Sequence, residues 1–476
     1  MSDSNHAVAA PVTAVSVDGH GDSFDVVIVG AGPAGYVCAI RAAQLGRRVA
    51  VIDRQWIGGV CLNVGCIPSK ALLRNAELVH TISHRAADFG LSFDGFRADY
   101  GAAVSRSRGV SAQLTRGIEY LLKKNKVELI VGEAVFEAPH VVRVGGRRLK
   151  AANLVIATGS SSMVPPGVEI DGVAVQNSWQ AIVDERLPST AVIVGASAIG
   201  VEFATVWSAY GTRVTLIEMA PRVVPLEDED VSKELDRQLR KRGITIRTGT
   251  VASGVRAGED GRAEVTIGDE VLSVDRVLVA TGIRPNSAGL EATGVTVDRR
   301  GYIEIDDRMA TSVPGVWAIG DVTGKLALAH VGQAQGVICA EAIAGHDTPR
   351  LAYIDMPRAT YCSPQIASFG LTEAQARERI GDHVATARFE FGANGKALGM
   401  GEGSGFVKLV SDGRYGELLG AHLIGPEVTE LLPELTLARA NELTVAEIAR
   451  NVHAHPTLSE ALVDAVHGLT TGYIHK

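Results

Sequence analysis

The sequence predicts an α/β protein with two Rossmann-like dinucleotide-binding domains and a C-terminal α+β domain. The first observation is a strand, glycine turn, helix and strand over residues 24–53, and the second is its recurrence further along the chain. The third is a change beyond Pro357, where short β-like runs at 366–369 and 405–410 precede helical stretches near 427–443 and 459–467. Pro433 in the first helical stretch predicts a kink or a late helix start.

The first motif has the spacing of a dinucleotide fingerprint. An apolar strand over 26–29 leads into the turn, a helix continues through Leu45, and a second strand ends at Asp53. The glycines permit a sharp turn and a close approach to a pyrophosphate, which the helix N-terminus then faces. The turn and helix start comprise Gly30, Ala31, Gly32, Pro33, Ala34 and Gly35. Asp53 is expected to hold ribose hydroxyls, with a solvated strand end as the alternative.

The same motif recurs 165 residues later, where Gly195 corresponds to Gly30 and Gly200 to Gly35. The chain therefore has two predicted nucleotide sites. Ser197 stands where the second glycine belongs, so we expect the backbone to lie slightly farther from its ligand there.

Glu218 occupies the position of the ribose-binding acid in the second motif. A carboxylate there hydrogen-bonds a ribose 2′-hydroxyl and repels a 2′-phosphate, which favours NAD over NADP. Arg213 and Arg222 lie nearby in sequence and weaken this prediction.

Three further apolar runs end in residues that suit a nucleotide site. Two of them close with Thr158-Gly159 and Thr281-Gly282, and the third closes with Gly320-Asp321. Asp321 is a candidate ligand of a pyrophosphate or a ribitol. Each signal is weak alone, because strands often end in Gly or Asp.

Two cysteines, Cys61 and Cys66, are separated by four residues in the glycine-containing stretch from Gly58 to Lys70. They are either two buried thiols in a strand-to-helix connection or a redox pair. Their spacing does not decide, since redox and metal pairs more often have two intervening residues. No cluster of metal-ligating residues stands beside them in the sequence. The remaining cysteines, at 38, 339 and 362, are expected to be core thiols.

Composition limits the class of protein and its surroundings. The net charge of -8 makes a general affinity for nucleic acid or anionic membrane improbable. The few cysteines predict a reducing compartment, and no long apolar run predicts a membrane helix. We expect no targeting signal, a disordered tail over 1–23 and a cytoplasmic protein.

The order of motifs, completed by His455-Pro456-Thr457 near the C-terminus, resembles the flavoprotein disulfide reductases over about residues 24–470. The resemblance implies an FAD domain from 24–155 and 286–355, an NAD domain from 156–285 and a dimerisation domain from 356–476. The residues implied to bind FAD are Gly30, Gly32, Pro33, Ala34, Gly35, Asp53, Lys70, Thr158, Gly159, Gly320, Asp321, Ala329 and His330. Those implied to bind NAD are Gly195, Ile199, Gly200, Glu202, Glu218 and Gly282.

The resemblance also implies catalytic roles. Cys61 would face a dithiol substrate and Cys66 the flavin, while His455 would be the base, supplied to the disulfide of the other subunit. Glu460 would orient His455, although its position in Thr-x-x-Glu also suits a helix cap. His453 is a rival base for which we expect a structural or surface role. Lys70 would lie beside the flavin, paired with Glu202, unless it is a solvated surface lysine.

Among the activities of this family, the residues best match oxidation of dihydrolipoamide by NAD. The implied partners are a second copy of the chain and the lipoyl-bearing acyltransferase of a 2-oxo acid dehydrogenase complex or a glycine cleavage carrier. Mercuric reductase is an alternative, but the chain ends without the expected C-terminal cysteine pair. Glutathione-type reductases usually favour NADP, which Glu218 opposes, and a transhydrogenase should lack Cys61 and Cys66. A subunit whose main role is docking to a large complex is the remaining alternative.

Overall fold

The structure of the protein is a computed structural model that describes residues 22–476. Almost all of the predicted N-terminal tail therefore lies outside the described residues. The strands are β1 Ser23–Val29, β2 Val49–Asp53, β3 Glu128–Val131, β4 Ala134–Ala138, β5 Val141–Val144, β6 Arg147–Ile156, β7 Ser160–Ser162, β8 Val175–Asn177, β9 Thr190–Val194, β10 Arg213–Ile217, β11 Thr245–Arg247, β12 Gly254–Ala257, β13 Ala263–Ile267, β14 Glu270–Val274, β15 Arg276–Val279, β16 Ile283–Pro285, β17 Val316–Ala318, β18 Arg358–Thr360, β19 Gln365–Gly370, β20 Val384–Glu390, β21 Phe406–Asp412 and β22 Leu418–Gly425.

The helices alternate with these strands in the first two thirds of the chain and cluster near its C-terminus. They are α1 Pro33–Gln44, α2 Gly59–Val64, α3 Cys66–Arg85, α4 Tyr100–Lys124, α5 Ser178–Ala181, α6 Ala198–Ala209, α7 Glu229–Lys241, α8 Ala329–Ile343, α9 Glu373–Ile380, α10 Gly395–Gly399, α11 Leu432–Ala440, α12 Val445–Ala449 and α13 Glu460–Leu469. Among the helices described, none combines the length and apolar character that crossing a membrane requires.

The chain divides into two compact units. The first comprises the described residues up to Ala71, Val104–Met163 and Gly282–Leu351, and the second comprises Leu72–Ala103, Val164–Thr281 and Ala352–Lys476.

The first unit is built on a sheet with the order β3-β2-β1-β6-β5-β4, in which β17 pairs with the C-terminal part of β6. Strand β1 runs parallel to both β2 and β6. Its residues Val26, Val27 and Ile28 are fully buried, as expected for a central parallel strand. The carboxyl ends of these strands carry the first glycine turn.

Helices α1 and α8 of the first unit pack closely through small residues. A Cβ added at Gly336 would lie 2.5 Å from the carbonyl oxygen of Ala34, which leaves room only for glycine. Cys38 and Cys339 are fully buried, which confirms the prediction of core thiols for this pair. Burial and a hydrogen bond with Cys38 raise the pKa of the Cys339 thiol.

The second unit contains a parallel sheet with the order β11-β10-β9-β15-β8, which carries the second glycine turn, and an antiparallel sheet of β12, β13 and β14. Its C-terminal part is an antiparallel sheet with the order β18-β19-β22-β21-β20. Strands β19 and β21 and helix α13 coincide with predicted elements. Helix α11 starts late, at Leu432, because Pro433 fits only the first turn of a helix.

Candidate active site and nucleotide-binding turns

The first glycine turn has no space for side chains at two of its positions. A Cβ added at Gly30, which has φ +110°, would lie 2.1 Å from the carbonyl oxygen of Ala157. A Cβ added at Gly35 would lie 1.8 Å from the carbonyl oxygen of Gly30. At Gly32 the nearest atom would be the Cα of Gly59, at 3.8 Å, so this position is open. The open backbone at Gly32 fits the close approach of a pyrophosphate.

The N-terminus of helix α1 suits an anion. Gly32 is the N-cap and Pro33 opens the helix, with no side-chain cap and no acidic residue in the first turn. The N–H donors of a first helical turn have no partner within the helix and carry the positive end of its dipole. These donors, the position of Ala34 and Gly35 in the first turn, and the open Gly32 fit a bound dinucleotide.

Asp53 is fixed at the end of β2 against this turn. Its Oδ2 accepts the N–H of Ala31 at 2.8 Å, and its Oδ1 accepts the N–H groups of Gln55 and Trp56 at 2.9 and 2.8 Å. These backbone donors hold the carboxylate in one orientation beside the turn, which fits the predicted hydrogen bond to ribose hydroxyls.

The segment at Thr158 and Gly159 is held by a residue that the sequence did not indicate. The hydroxyl of Thr158 donates to the carbonyl oxygen of Asn286 at 2.7 Å, and the side-chain amide of Asn286 donates to the carbonyl oxygen of Thr158 at 2.9 Å. Gly159 has φ +69°, which favours glycine.

Asp321 is a largely buried carboxylate of the first unit. Burial raises its pKa, and the hydroxyl of Ser160 donates to its Oδ2 at 2.7 Å. The adjacent N–H of Gly320 donates to the side chain of Gln335 at 2.7 Å. A carboxylate in this setting suits the hydroxyl donors of a ribitol, which is one of the two groups predicted for Asp321, and its ligand stays a prediction. Ala329 is the first residue of α8, and His330 is exposed next to it.

The second turn repeats the geometry of the first. A Cβ added at Gly195, with φ +107°, would lie 2.3 Å from the carbonyl oxygen of Ala280, and one at Gly200 would lie 1.8 Å from that of Gly195. Ser197 has φ −81° and ψ −172°, close to −67° and −178° at Gly32. The substitution therefore leaves the turn unchanged, because an extended conformation needs no glycine. The Ser197 side chain does not cap α6, and Ile199 in the first turn is 37% exposed.

Glu218 corresponds to Asp53 in its contacts as well as in sequence. Its Oε2 accepts the N–H of Ala196 at 2.7 Å and its Oε1 accepts that of Ala220 at 2.8 Å. The guanidinium of Arg222 donates to two backbone carbonyls, those of Pro225 and Glu227. Arg213 begins β10, at the end of the strand remote from Glu218. Neither arginine therefore neutralises the negative charge of the Glu218 carboxylate, which supports the predicted preference for NAD over NADP.

Gly282 and Glu202 complete the predicted nucleotide contacts. Gly282 has φ +107° and belongs to the first unit. Glu202 belongs to the second unit, is 6% exposed, and accepts the N–H of Tyr361 at 2.9 Å. Lys70 lies in the first unit, so its pairing with Glu202 stays a prediction.

Cys61 lies in α2 and Cys66 is the first residue of α3. Both are thiols, and a hydrogen bond with Cys66, followed by burial, raises the pKa of Cys61, although Lys70 opposes the rise. Cys66, as the first residue of α3, lies at the positive end of that helix dipole. Among the described residues, no group of three or more His, Cys, Asp or Glu side chains is arranged so that it could hold a metal ion.

The dithiol segment is attached directly to the first glycine turn. The N–H of Gly58 donates to the carbonyl oxygen of Ala31 at 2.9 Å. A Cβ added at Gly59, which has φ +64°, would lie 2.6 Å from the Cα of Gly32. The turn that fits a dinucleotide and the helix that carries Cys61 therefore meet backbone to backbone.

Asn63 and Arg108 fix the segment from its other side. The side-chain amide of Asn63 donates to the carbonyl oxygens of Ile57 and Gly59 at 2.9 and 3.0 Å, and the guanidinium of Arg108 donates to the carbonyl oxygen of Asn63. The contact with Arg108 has no signal in the sequence, because Arg108 lies 45 residues from Asn63, on α4.

Tyr36 on α1 is a second missed residue. Its hydroxyl accepts the side-chain amide of Gln333 at 3.1 Å. Burial raises the pKa of Tyr36, and the negative charge that Cys61 can carry adds to the rise. The phenol therefore belongs to the surroundings of the dithiol.

His455 and Glu460 form a pair in the second unit. The Nδ1 of His455 lies 2.8 Å from Oε1 of Glu460, whose Oε2 accepts the N–H of Thr457 at 2.7 Å. The N–H of Thr457 and the His455 ring overcome partial burial and lower the pKa of Glu460. Glu460 therefore holds the turn at Thr457 that precedes α13 and contacts the candidate base at the same time. The side chain of His455 is 80% exposed, which leaves its Nε2 accessible.

His453 has a different environment from His455. Its side chain is 6% exposed, with Nε2 2.9 Å from Oε2 of Glu434 and Nδ1 3.1 Å from the carbonyl oxygen of Asn451. Both ring nitrogens are engaged, which fits the structural role that we expect for His453.

Two dinucleotide-binding turns and a dithiol at a helix N-terminus define an oxidoreductase that exchanges electrons between thiols and a nucleotide cofactor. Residues 24–336 match the family described as pyridine nucleotide-disulphide oxidoreductase, and residues 356–466 match its dimerisation domain. The chain belongs to this family, which confirms the predicted fold class and the resemblance to flavoprotein disulfide reductases. FAD and NAD are its cofactors, as predicted, and the dimerisation domain supports the predicted homodimer.

Relatives of known name agree over nearly the full length of the chain. A dihydrolipoyl dehydrogenase from Mycobacterium leprae is 49% identical over 463 residues, which cover 94% of this chain and 98% of the relative. One from Corynebacterium glutamicum is 48% identical with the same coverage of both chains. One from Rhizobium etli is 41% identical over 474 residues, also with this coverage.

Solved structures show the same fold. LpdA from Mycobacterium tuberculosis superposes with a TM-score of 0.87 at 27% identity, covering 94% of this chain and 99% of that one. The HOCl-induced flavoprotein disulfide reductase RclA from Escherichia coli superposes with a TM-score of 0.84 at 28% identity, covering 93% and 99%.

Proposed function

We propose that the protein is an NAD-dependent dihydrolipoyl dehydrogenase, which oxidises dihydrolipoamide to lipoamide and reduces NAD⁺ to NADH. The observation that carries the proposal is the hydrogen-bonded pair of Cys61 and Cys66, joined through Gly58 and Gly59 to the first dinucleotide turn. The relatives named dihydrolipoyl dehydrogenase support the choice of substrate.

The two cysteines have unequal roles in this proposal. In the oxidised enzyme they form a disulfide, and one sulfur of the substrate attacks Cys61 as a thiolate, releasing Cys66 as a thiolate. The second substrate sulfur then displaces Cys61, so that the substrate is oxidised to a cyclic disulfide and the enzyme is left as a dithiol. The start of helix α3 at Cys66 supports this assignment, because the positive end of a helix dipole stabilises a thiolate.

His455 removes the protons that the substrate thiols lose. Its Nδ1 donates to Glu460, which fixes the tautomer in which Nε2 is the acceptor and stabilises the imidazolium that forms. We assign this histidine to the disulfide of the other subunit, so that the active site is shared within the homodimer.

The cofactors complete the proposal. FAD, when bound, would supply the two-electron relay between the enzyme dithiol and NAD⁺. In the first unit Asp53, Asp321 and the turn at Gly30 would hold FAD, and we assign Lys70 to the flavin ring. In the second unit Glu218 and the turn at Gly195 would hold NAD⁺.

The physiological substrate in this proposal is the lipoyl group of a partner protein. The partner is the acyltransferase of a 2-oxo acid dehydrogenase complex or the carrier of a glycine cleavage system. A cytoplasmic location is part of the proposal, because a redox-active pair beside buried free thiols suits a reducing compartment.

The test is a comparison of two reactions with the purified enzyme. We expect rapid NADH formation from dihydrolipoamide and NAD⁺, and little oxidation of NADPH by oxidised glutathione. The Cys61→Ser variant should lose the first reaction while retaining FAD. Preference for glutathione and NADPH would contradict the proposal, as would full activity of the variant. Binding of a lipoyl-bearing subunit without any turnover of dihydrolipoamide would instead support a docking subunit.

A further inference from the structure

The loop 219–228 joins Glu218 to helix α7 and contains a strained residue. Val224 has φ +39°, a conformation that a β-branched residue rarely adopts, and it is 4% exposed. Its N–H donates to the carbonyl oxygen of Ala196 at 2.9 Å, and its carbonyl oxygen accepts the N–H of Glu227 at 2.9 Å. Ala196 is also the residue whose N–H is held by Glu218. The loop is therefore hydrogen-bonded to the second glycine turn through Val224 and Ala196.

Asp228 ends this loop and caps α7. It is 2% exposed, and its Oδ1 accepts the N–H of Asp230 at 3.1 Å. Its Oδ2 accepts the N–H of Glu373, the first residue of α9, also at 3.1 Å. The cap of α7 is therefore also joined to the C-terminal part of the second unit.

Lys408 on β21 is the cation that this cap faces. Its side chain is 6% exposed, and its Nζ lies 2.9 Å from Asp228, 2.6 Å from Asp230 and 2.8 Å from Glu373. Burial opposes the charge of Lys408, but the hydrogen bonds with Asp230, Glu373 and Asp228 outweigh it and raise its pKa. Without Lys408, three carboxylates would stand close together at the start of α7.

The contact between the loop 219–228 and the C-terminal sheet extends beyond Lys408 to neighbouring strands. His422 pairs with Lys408 on one side and with Ser368 on the other, and Ser368 pairs with Arg358. Residues paired in this way lie on the same face of a sheet. The Nε of Arg358 lies 3.9 Å from Oε1 of Glu227. The acidic end of the loop therefore lies against a row of the sheet that has Lys408 at one end and Arg358 at the other.

We propose that Lys408 is a positioning residue for NAD: it holds the start of α7, and through the loop 219–228 it keeps Glu218 and the second glycine turn in their binding geometry. Strained backbone such as that of Val224 persists only where its surroundings hold it. Loss of Lys408 would let the carboxylates repel one another, release the cap and relax Val224 away from Ala196. The inference rests on the proposed function only in taking NAD⁺ as the electron acceptor.

The test measures the dissociation constant of NAD⁺ for the FAD-loaded enzyme by calorimetry, which does not depend on turnover. We expect Lys408→Met to weaken NAD⁺ binding about tenfold, a usual size for coupling between sites. Asp230→Asn should weaken NAD⁺ binding less, because Asp230 is 34% exposed and Lys408 still holds the capping carboxylate of Asp228 in this variant. If Lys408→Met does not fold, the NAD⁺ affinity of Asp230→Asn tests the proposal in its place.

Two controls separate positioning from a general loss of stability. Glu373→Gln removes a carboxylate from Lys408 without changing α7, and Arg439→Met breaks ion pairs with Asp355 and Glu417 in the same part of the second unit. Both should bind NAD⁺ within about twofold of the wild type, a difference of well under 1 kcal/mol.

Equal weakening in these controls, or unchanged binding in Lys408→Met and Asp230→Asn, would overturn the inference. Dihydrolipoamide oxidation with an artificial electron acceptor should be retained in all four variants. If the wild type does not carry out that oxidation, the proposed function fails, while the NAD⁺ affinities still decide the role of Lys408.

Discussion

Replacement of Gly59 by alanine tests whether the glycine contact positions the dithiol. Gly59 opens helix α2, two residues before Cys61, and touches Gly32 of the first turn. The substitution adds one methyl group at this contact and changes no charge or hydrogen-bonding side chain. Its effects therefore arise from the backbone conformation and from the space between the two segments.

The expected magnitude follows from the backbone angle of Gly59 and from its distance to Gly32. A left-handed conformation, here with φ +64°, costs a residue with a Cβ about 1–2 kcal/mol. The new Cβ would lie 2.6 Å from the Cα of Gly32, whereas carbon atoms in contact lie about 3.5–4.0 Å apart. The two segments must then separate by about 1 Å, and a misplacement of this size costs a reaction about 100-fold in rate.

The assay is the rate of NADH formation from dihydrolipoamide, with FAD content and thermal stability measured on the same samples. Gly46→Ala is the matched control, because Gly46 has φ +79° but no atom within 4 Å of an added Cβ. We expect Gly46→Ala to lose stability with nearly normal activity, and Gly59→Ala to lose both. Equal activity of the two variants would refute the reasoning that the contact with Gly32 aligns the thiols.

Three further outcomes are expected. His455→Gln should slow dihydrolipoamide oxidation by about 10²–10⁴-fold, as general-base loss does, and near-normal turnover would redirect the role to His453. Glu218→Arg should shift the ratio of kcat/KM values from NAD⁺ toward NADP⁺, and an unchanged ratio would mean that the ribose is bound by other residues. Burial and Arg242 lower the pKa of His80 from 6.5 to about 4, so the unfolded chain binds a proton over this range that the folded chain does not. Stability should therefore fall from pH 6.5 to pH 4, by roughly 1–3 kcal/mol after allowance for solvent screening. His80→Leu should flatten this fall in the thermal midpoint, and equal slopes would contradict the assignment.

The fold could be predicted because its signals are local. The apolar run from Val26 to Val29 predicts a buried strand, and the glycine that directly follows it predicts a sharp turn. The contacts that join these elements have no such signal. Thr158 and Asn286 lie 128 residues apart, and Lys408 and Asp228 lie 180 apart. Such pairs depend on the packing of whole elements, which a single sequence does not display.

The candidate site divides in the same way. Glu218 could be predicted as the ribose-binding acid from its distance along the chain from Gly195. The role of Glu460 stayed open, because the Thr-x-x-Glu spacing suits a helix cap as well as a contact with His455. The neighbours of the dithiol were not predictable. Tyr36 occupies an ordinary helix position, and Arg108 contacts the dithiol segment only because α4 passes beside it.

Ala31 gives the first unit a mechanical link between its two functions. Its N–H is bound by the carboxylate of Asp53 and its carbonyl oxygen by the N–H of Gly58. Since each peptide group is planar, Ala31 has few torsions with which to absorb a displacement at either end. A dinucleotide held by Asp53, as proposed, would therefore be linked to the cysteine segment through a single residue, and a displacement of the Asp53 carboxylate would be transmitted to Gly58 and the thiols that follow it.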